Sequence, residues 1–195
     1  MSVKPTDRMI GLYHHLVDQM GEAADIIVYD ETSARNPSHL PFVHIAIWDA
    51  KSDDDLTVLH TLGMSEKYMN KADYLVELCW HIRGNLSEDN KRSCSWFMAN
   101  LTEYPFMYDL KLDWWEHLVD PGKMPMFSGC KTLLLGPALS EIALTRFPAP
   151  DSEVKVLHLY PLIDLETHVV AEHGREEFVE YVEKKKIDLF SDRFD

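Results

Sequence analysis

The stretch HTLGMSEKYMN, His60 to Asn70, holds Gly63-Met64-Ser65. These are the first three residues of the G-x-S-x-G elbow, which bends a strand into a helix and exposes a serine hydroxyl for attack. Lys67 stands where the second glycine of that elbow must let the backbone come close, and no other motif supplies Ser65 with an acid and a base. The residue types fit a helical turn better, with Ser65 as its cap and Glu66 favourably placed at its N-terminus. No catalytic residue is assigned.

The ten histidines raise the question of metal. His168, Glu172 and His173 resemble an inverted zinc motif, H-x-x-E-H, but that motif needs its histidines four apart so that both reach one helical face. Here they are five apart, about 140° from each other around the axis. His168 and Glu172 could share an ion and serve a hydrolase, yet an exposed i,i+4 polar pair is the commoner meaning. His44, His60 and His158 fall in strand patterns, where histidines are usually hydrogen-bonded structural residues. Cys79, Cys94 and Cys130 contain no C-x-x-C pair, and their apolar contexts fit reduced packing residues better than disulfides or zinc ligands. Neither metal nor any other cofactor is expected.

The stretch YDLKLDWWEHLVD offers a different chemistry. It sets Asp109, Asp113, Glu116 and Asp120 around Trp114 and Trp115, with one lysine. Tyr108, His117 and these residues make a candidate binding surface for a basic partner, with large aromatic anchors that desolvate and carboxylates that steer and pair with Arg or Lys. The alternative is a solvated loop whose tryptophans fold back into the core.

Charge bears on the same choice. Lys plus Arg number 19 and Asp plus Glu 33, a formal net charge of −14. Such a field repels nucleic acid and anionic membranes and speeds encounter with a basic protein. The chain is 195 residues long with 46% apolar residues, enough for a full core, and no apolar run approaches the ~18 residues of a membrane span. Met1 to Met20 mixes charge and His14-His15 among its apolar residues, unlike a secretory signal, which implies a cytoplasmic protein.

The elements that must position these residues follow from periodicity. Thr6 to Met20 carries Met9, Leu12, Leu16 and Val17 at helical spacing, with Gly21 as a stop. Runs rich in β-branched and aromatic residues at Asp25–Tyr29, Phe42–Trp48, Leu56–Leu62 and Tyr74–Ile82 read as neighbouring, mainly antiparallel strands, separated by polar stretches such as Asn36-Pro37 and 51–55. Glu88 to Tyr104 reads as a helix with Ser87 as N-cap and Pro105 ending it. Phe106 to Ser128 reads as irregular. Further strands are expected at Lys131–Leu135 and Val154–Tyr160, with Pro148 and Pro150 in the loop between them. Helical patterns at Asp164–His173 and Arg175–Lys186 meet at Gly174, and Asp188 to Asp195 forms a polar tail. No repeat or composition shift divides residues 1–195 into two domains.

Taken in order, several of these stretches resemble bacterial suppressor of fused domains. LHTLGMSEKYMN is similar to the family's strand and turn, which runs Thr-x-Gly-Met-Ser, and this likeness implies that Gly63, Met64 and Ser65 form a structural turn that needs the backbone of Gly63; YLVELCWHI is similar to the following strand centred on Glu-Leu. VLHLYPLIDLETHVVAEHG resembles its late strand, proline-containing turn and acidic helix, and IDLFSDRF its ending. The resemblance covers most of the chain from about Phe42. It implies one α+β domain, a mixed, mainly antiparallel sheet covered by helices, without known enzymatic activity. Animal relatives hold a transcription factor by an extended segment, and bacterial relatives are grouped with immunity proteins that neutralise toxins. By this resemblance the chain is expected to bind a protein, a toxin that is basic if the charge is a guide, with capture of a peptide along a sheet edge such as Leu56–Leu62 as the alternative. One departure stands out: Glu116-His117 replaces the family's frequent Gly-His, which puts in doubt any contact that depends on that glycine's backbone.

Overall fold

A computed structural model describes residues 4–30, 39–139, 144–149 and 152–194; Asn36-Pro37, Pro150 and Asp195 lie outside the described residues. Helix α1 (Asp7–Met20) ends at Gly21 as its sequence implies, and at its start the Thr6 side chain accepts from the Met9 N–H. Strands β1 (Asp25–Asp30), β2 (Phe42–Trp48), β3 (Leu56–Leu62) and β4 (Leu75–Arg83) form consecutive antiparallel pairs. Helix α2 (Glu88–Met107) follows, then β5 (His117–Val119), β6 (Thr132–Gly136), β7 (Arg146–Pro148), β8 (Glu153–Leu162) and α3 (Asp164–Lys185).

The eight strands make one mixed sheet in the order β1-β2-β3-β4-β8-β6-β5, with β7 paired to β8 beside this path. The β4–β8 pair is parallel; the other pairs are antiparallel. Leu56–Leu62 is therefore an interior strand and offers no free edge, which corrects the expectation for that segment.

Both faces of the sheet are covered, so its central strands are buried on both sides and read as nearly continuous apolar runs. On one face Cys94, Phe97, Met98 and Leu101 of α2 pack against Ile45, Leu59, Leu78, Trp80 and Leu157. On the other, Met9, Leu12 and Leu16 of α1 pack against Ala46, Trp48 and Leu62, while Val170 and Phe178 of α3 pack against Leu134, Tyr160 and Leu162.

Four local expectations need correction. Pro105 lies inside α2, because the Tyr108 N–H to Tyr104 carbonyl bond, 3.2 Å, and the burial of Pro105 itself hold one more turn. The segment after it contains β5, too short to show an alternating pattern. Pro148 ends β7 rather than lying in a loop; a three-residue strand that among the described residues pairs only with β8 tolerates proline. The C-terminal tail is docked, not merely polar: Leu189 is buried with the α3 cluster. Helix α3 does kink at Gly174 (φ 80°), and the three cysteines are free and buried.

Candidate partner-binding surface

The acidic aromatic loop is largely tied down. Trp114 is half-buried against the main core, donates from Nε1 to the Val156 carbonyl at 3.2 Å, and has the Arg146 guanidinium 4.7 Å from its ring. Trp115 packs on the α3 cluster and donates its N–H to the Leu135 carbonyl at 2.6 Å. Asp113 meets Lys155 Nζ at 3.0 Å and Lys111 Nζ at 3.8 Å. Burial pushes the Asp113 pKa up, but the hydrogen bonds from Lys155 and the Trp114 N–H outweigh it, and the net shift is downward. Asp109 accepts from Asn70 Nδ2 at 2.6 Å. Glu116 is exposed but accepts from the Asp113 N–H, and His117 opens β5 with its side chain exposed. The tryptophans thus serve the core.

Tyr108 and Asp120 are placed differently. Both line an open groove of about 1390 Å³ between α2, β1 and the 120–125 loop, larger than the ~300–1,000 Å³ of a usual small-molecule pocket. Its floor is aromatic: Tyr29 and Trp96 have ring centroids 5.7 Å apart, and Tyr104 and Tyr108 are 4.6 Å apart. Asp25, Glu88 and Asp120 line it, against Arg92 and Lys123. Glu103 also lines it but is committed, accepting the backbone N–H groups of His39 and Leu40 at 2.8 and 3.1 Å.

One wall of the groove is an edge strand. Among the described residues β1 pairs only with β2, and Ile26 and Val28 are exposed large apolar side chains on it. Sequence reading missed this surface because three segments far apart in the chain build it. One local signal existed: Arg92, Trp96 and Asn100 recur every four residues on α2, opposite the apolar face of Cys94, Phe97, Met98 and Leu101, so Trp96 is an aromatic on the outward side.

The Gly63-Met64-Ser65 turn is held by the strand that follows it. Ser65 does not cap the single turn Met64–Glu66; it lies within it, buried, and its Oγ donates to Glu77 Oε1 at 2.7 Å. The same oxygen accepts the Gly63 and Ser65 N–H groups at 2.8 and 3.1 Å, and Oε2 accepts Thr61 Oγ1 at 2.6 Å. Gly63 has φ +122°, and a Cβ there would lie 2.9 Å from the Phe42 carbonyl oxygen, so only glycine fits. His168 and Glu172 form an exposed pair, 3.3 Å apart, and among the described residues no third ligand joins them.

The fold brings together one group that no sequence spacing announced. The parallel β4–β8 pairing sets Cys79 beside His158, and His81 lies two residues along β4 on the same face.

The family model described as Suppressor of fused protein (SUFU) matches residues 37–193. No curated protein matches the chain by sequence. Among solved structures, one described as a suppressor of fused homologue from Neisseria gonorrhoeae FA 1090 is similar over 95% of this chain and 93% of its own, at 14% identity and TM-score 0.69. A chain of the Sufu-Fu complex is similar over 95% of this chain and 86% of its own, at 11% identity and TM-score 0.66. Drosophila Suppressor of Fused is similar at 10% identity and TM-score 0.65, over 95% of this chain and 48% of that protein. At these identities the likenesses establish the shared fold.

Proposed function

The chain belongs to the suppressor of fused family, and from that premise we propose that it is a non-catalytic, cytoplasmic immunity protein that neutralises a basic toxin by binding and covering it. The observation that carries this reading is the open, aromatic, acidic groove bordered by α2 and β1. Its aromatic rings supply contact area at little entropic cost, while Asp25, Glu88 and Asp120 recognise Lys or Arg side chains. The net charge of −14 adds long-range attraction for a basic partner. A solved relative is a chain of a complex with a protein partner, Fu, which supports protein binding in general.

A second reading is favoured by the position of β1, which among the described residues pairs on one side only: an extended peptide could add a strand there, with its side chains in the groove. Both readings use one surface. Tagged protein expressed in its native host at low salt is expected to retain a basic protein whose toxic activity falls on binding. Tyr108→Ala with Asp120→Asn should reduce that recovery at least tenfold, and Glu116→Gln should not. Displacement of the partner by a short linear peptide of its own sequence would favour the edge-strand reading. Unchanged recovery with the groove variant would remove the groove from the interface.

A further inference from the structure

On the face of the sheet that carries α1 and α3, the register sets His60 of β3, Cys79 of β4 and His158 of β8 side by side. Alternation along β4 puts His81 on that same face. Cys79 Sγ and one ring nitrogen each of His81 and His158 all lie within 4.8 Å of one another. The Sγ to His81 Nδ1 distance is 3.9 Å, and the two imidazoles stack at 5.3 Å between centroids and 10° between planes.

The His158 nitrogens are already sorted into two roles. Nε2 meets the Leu144 carbonyl at 2.8 Å, a contact that needs the proton on Nε2. Nδ1 then carries the lone pair, is buried with the 1%-exposed His158, and has no hydrogen-bond partner among the described residues. A ring held by a carbonyl through one nitrogen and presenting the other bare is the arrangement of metal-ligating histidines. An orphaned buried acceptor also costs free energy that a ligand would recover.

We propose that Cys79, His81 and His158 form a transition-metal site, with Zn²⁺ the ion that best suits one thiolate and two imidazoles. Zinc bonds of ~2.3 Å to sulfur and ~2.0 Å to nitrogen in tetrahedral geometry place ligand atoms ~3.5 Å apart, so closure requires movements of about an ångström or less. Burial keeps His158 neutral, with a pKa lowered to about 4, and neutral imidazole is the form that binds. The Cys79 thiol, which burial also keeps protonated, loses its proton to solvent as the sulfur–metal bond forms, so one proton is released per ion. Three protein ligands leave a fourth position, and His81 is the least buried of the three.

The test uses the full chain without a polyhistidine tag, stripped with chelator, loaded with Co²⁺ and then with Zn²⁺, and dialysed. One ion per chain is expected, with a thiolate-to-cobalt charge-transfer band that Cys79→Ser abolishes. His81→Ala, at the least buried of the three positions, should weaken retention at least tenfold while leaving the unfolding midpoint of the metal-free protein closer to that of the parent than Cys79→Ser does. If Cys79→Ser fails to fold, the His81→Ala result decides alone. Failure of the parent chain to retain metal would overturn the proposal. So would metal held without a thiolate band and lost in His168→Ala, which would place it on the surface pair His168 and Glu172.

Discussion

Glu77 explains why two separate sequence stretches act as one. Its carboxylate is buried and accepts from Thr61, Gly63 and Ser65, so the Gly-Met-Ser turn and the Glu-Leu strand form a single hydrogen-bonded unit. Truncation to alanine would strand those donors in the core at about 1–3 kcal/mol each, and Glu77→Ala is expected to lose at least ~3 kcal/mol in urea unfolding. Glu77→Gln keeps a carbonyl oxygen for the Gly63 and Ser65 donors and should cost much less. Burial pushes the Glu77 pKa above its ordinary 4.5, and the four hydrogen bonds to the ionised form pull it back only in part. The folded state therefore binds this proton more tightly than the unfolded one, so the group's stabilisation is greatest below pH 4.5 and falls as pH rises through the raised value. Wild type should lose stability relative to Glu77→Gln across that rise; a constant gap would show that the carboxyl titrates normally. The serine that suggested a nucleophile is one of the donors that hold this turn.

Among the elements, the C-terminal tail shows how a polar sequence can be structural. Arg193 forms a two-pronged pair with Glu166 of α3, at 2.9 Å for each contact, and Glu166 is only 1% exposed. The Glu166 carboxylate also accepts the Ile163 N–H at the start of α3, at 3.1 Å. Removing Arg193 leaves a buried charge without its partner, so Arg193→Ala should destabilise by about 3 kcal/mol and speed proteolysis after α3. Retained protease resistance would show that the buried contacts of Leu189 hold the tail unaided. The four antiparallel strands and the end of α1 were legible in the sequence because they rest on local periodicity and a glycine stop. The parallel β4–β8 pair was not, since nothing local in Leu75–Arg83 or Glu153–Leu162 states its partner, and this pair is what brings His158 to Cys79. Pro105 misled for a related reason: burial of the last turn of α2 overrides the local breaker.

For the whole molecule, two scales of charge act on any partner: the overall charge of −14 and the acids at the rim of the groove. The first was legible from composition alone. The second was only half legible, because Tyr108 and Asp120 lie in the acidic stretch whereas Asp25, Tyr29 and Trp96 reach the groove only through folding. The tryptophans of that stretch turn much of their large apolar area inward, the fold-back alternative of the sequence, where Trp114 meets Val156 and Trp115 the α3 cluster. Their loss should act on stability, not on recognition. The two kinds of charge separate experimentally. Long-range attraction is screened over about 8 Å at physiological salt, so raising salt should slow association with a basic partner and leave dissociation nearly unchanged. Groove contacts are short-range, so Tyr108→Ala should speed dissociation and leave the salt dependence of association intact. Stopped-flow association and dissociation rates, measured for both proteins from 50 mM to 500 mM salt, check this directly. An association rate indifferent to salt would mean that the negative field does not steer this partner, and the groove would then have to account for its affinity without help from charge at a distance.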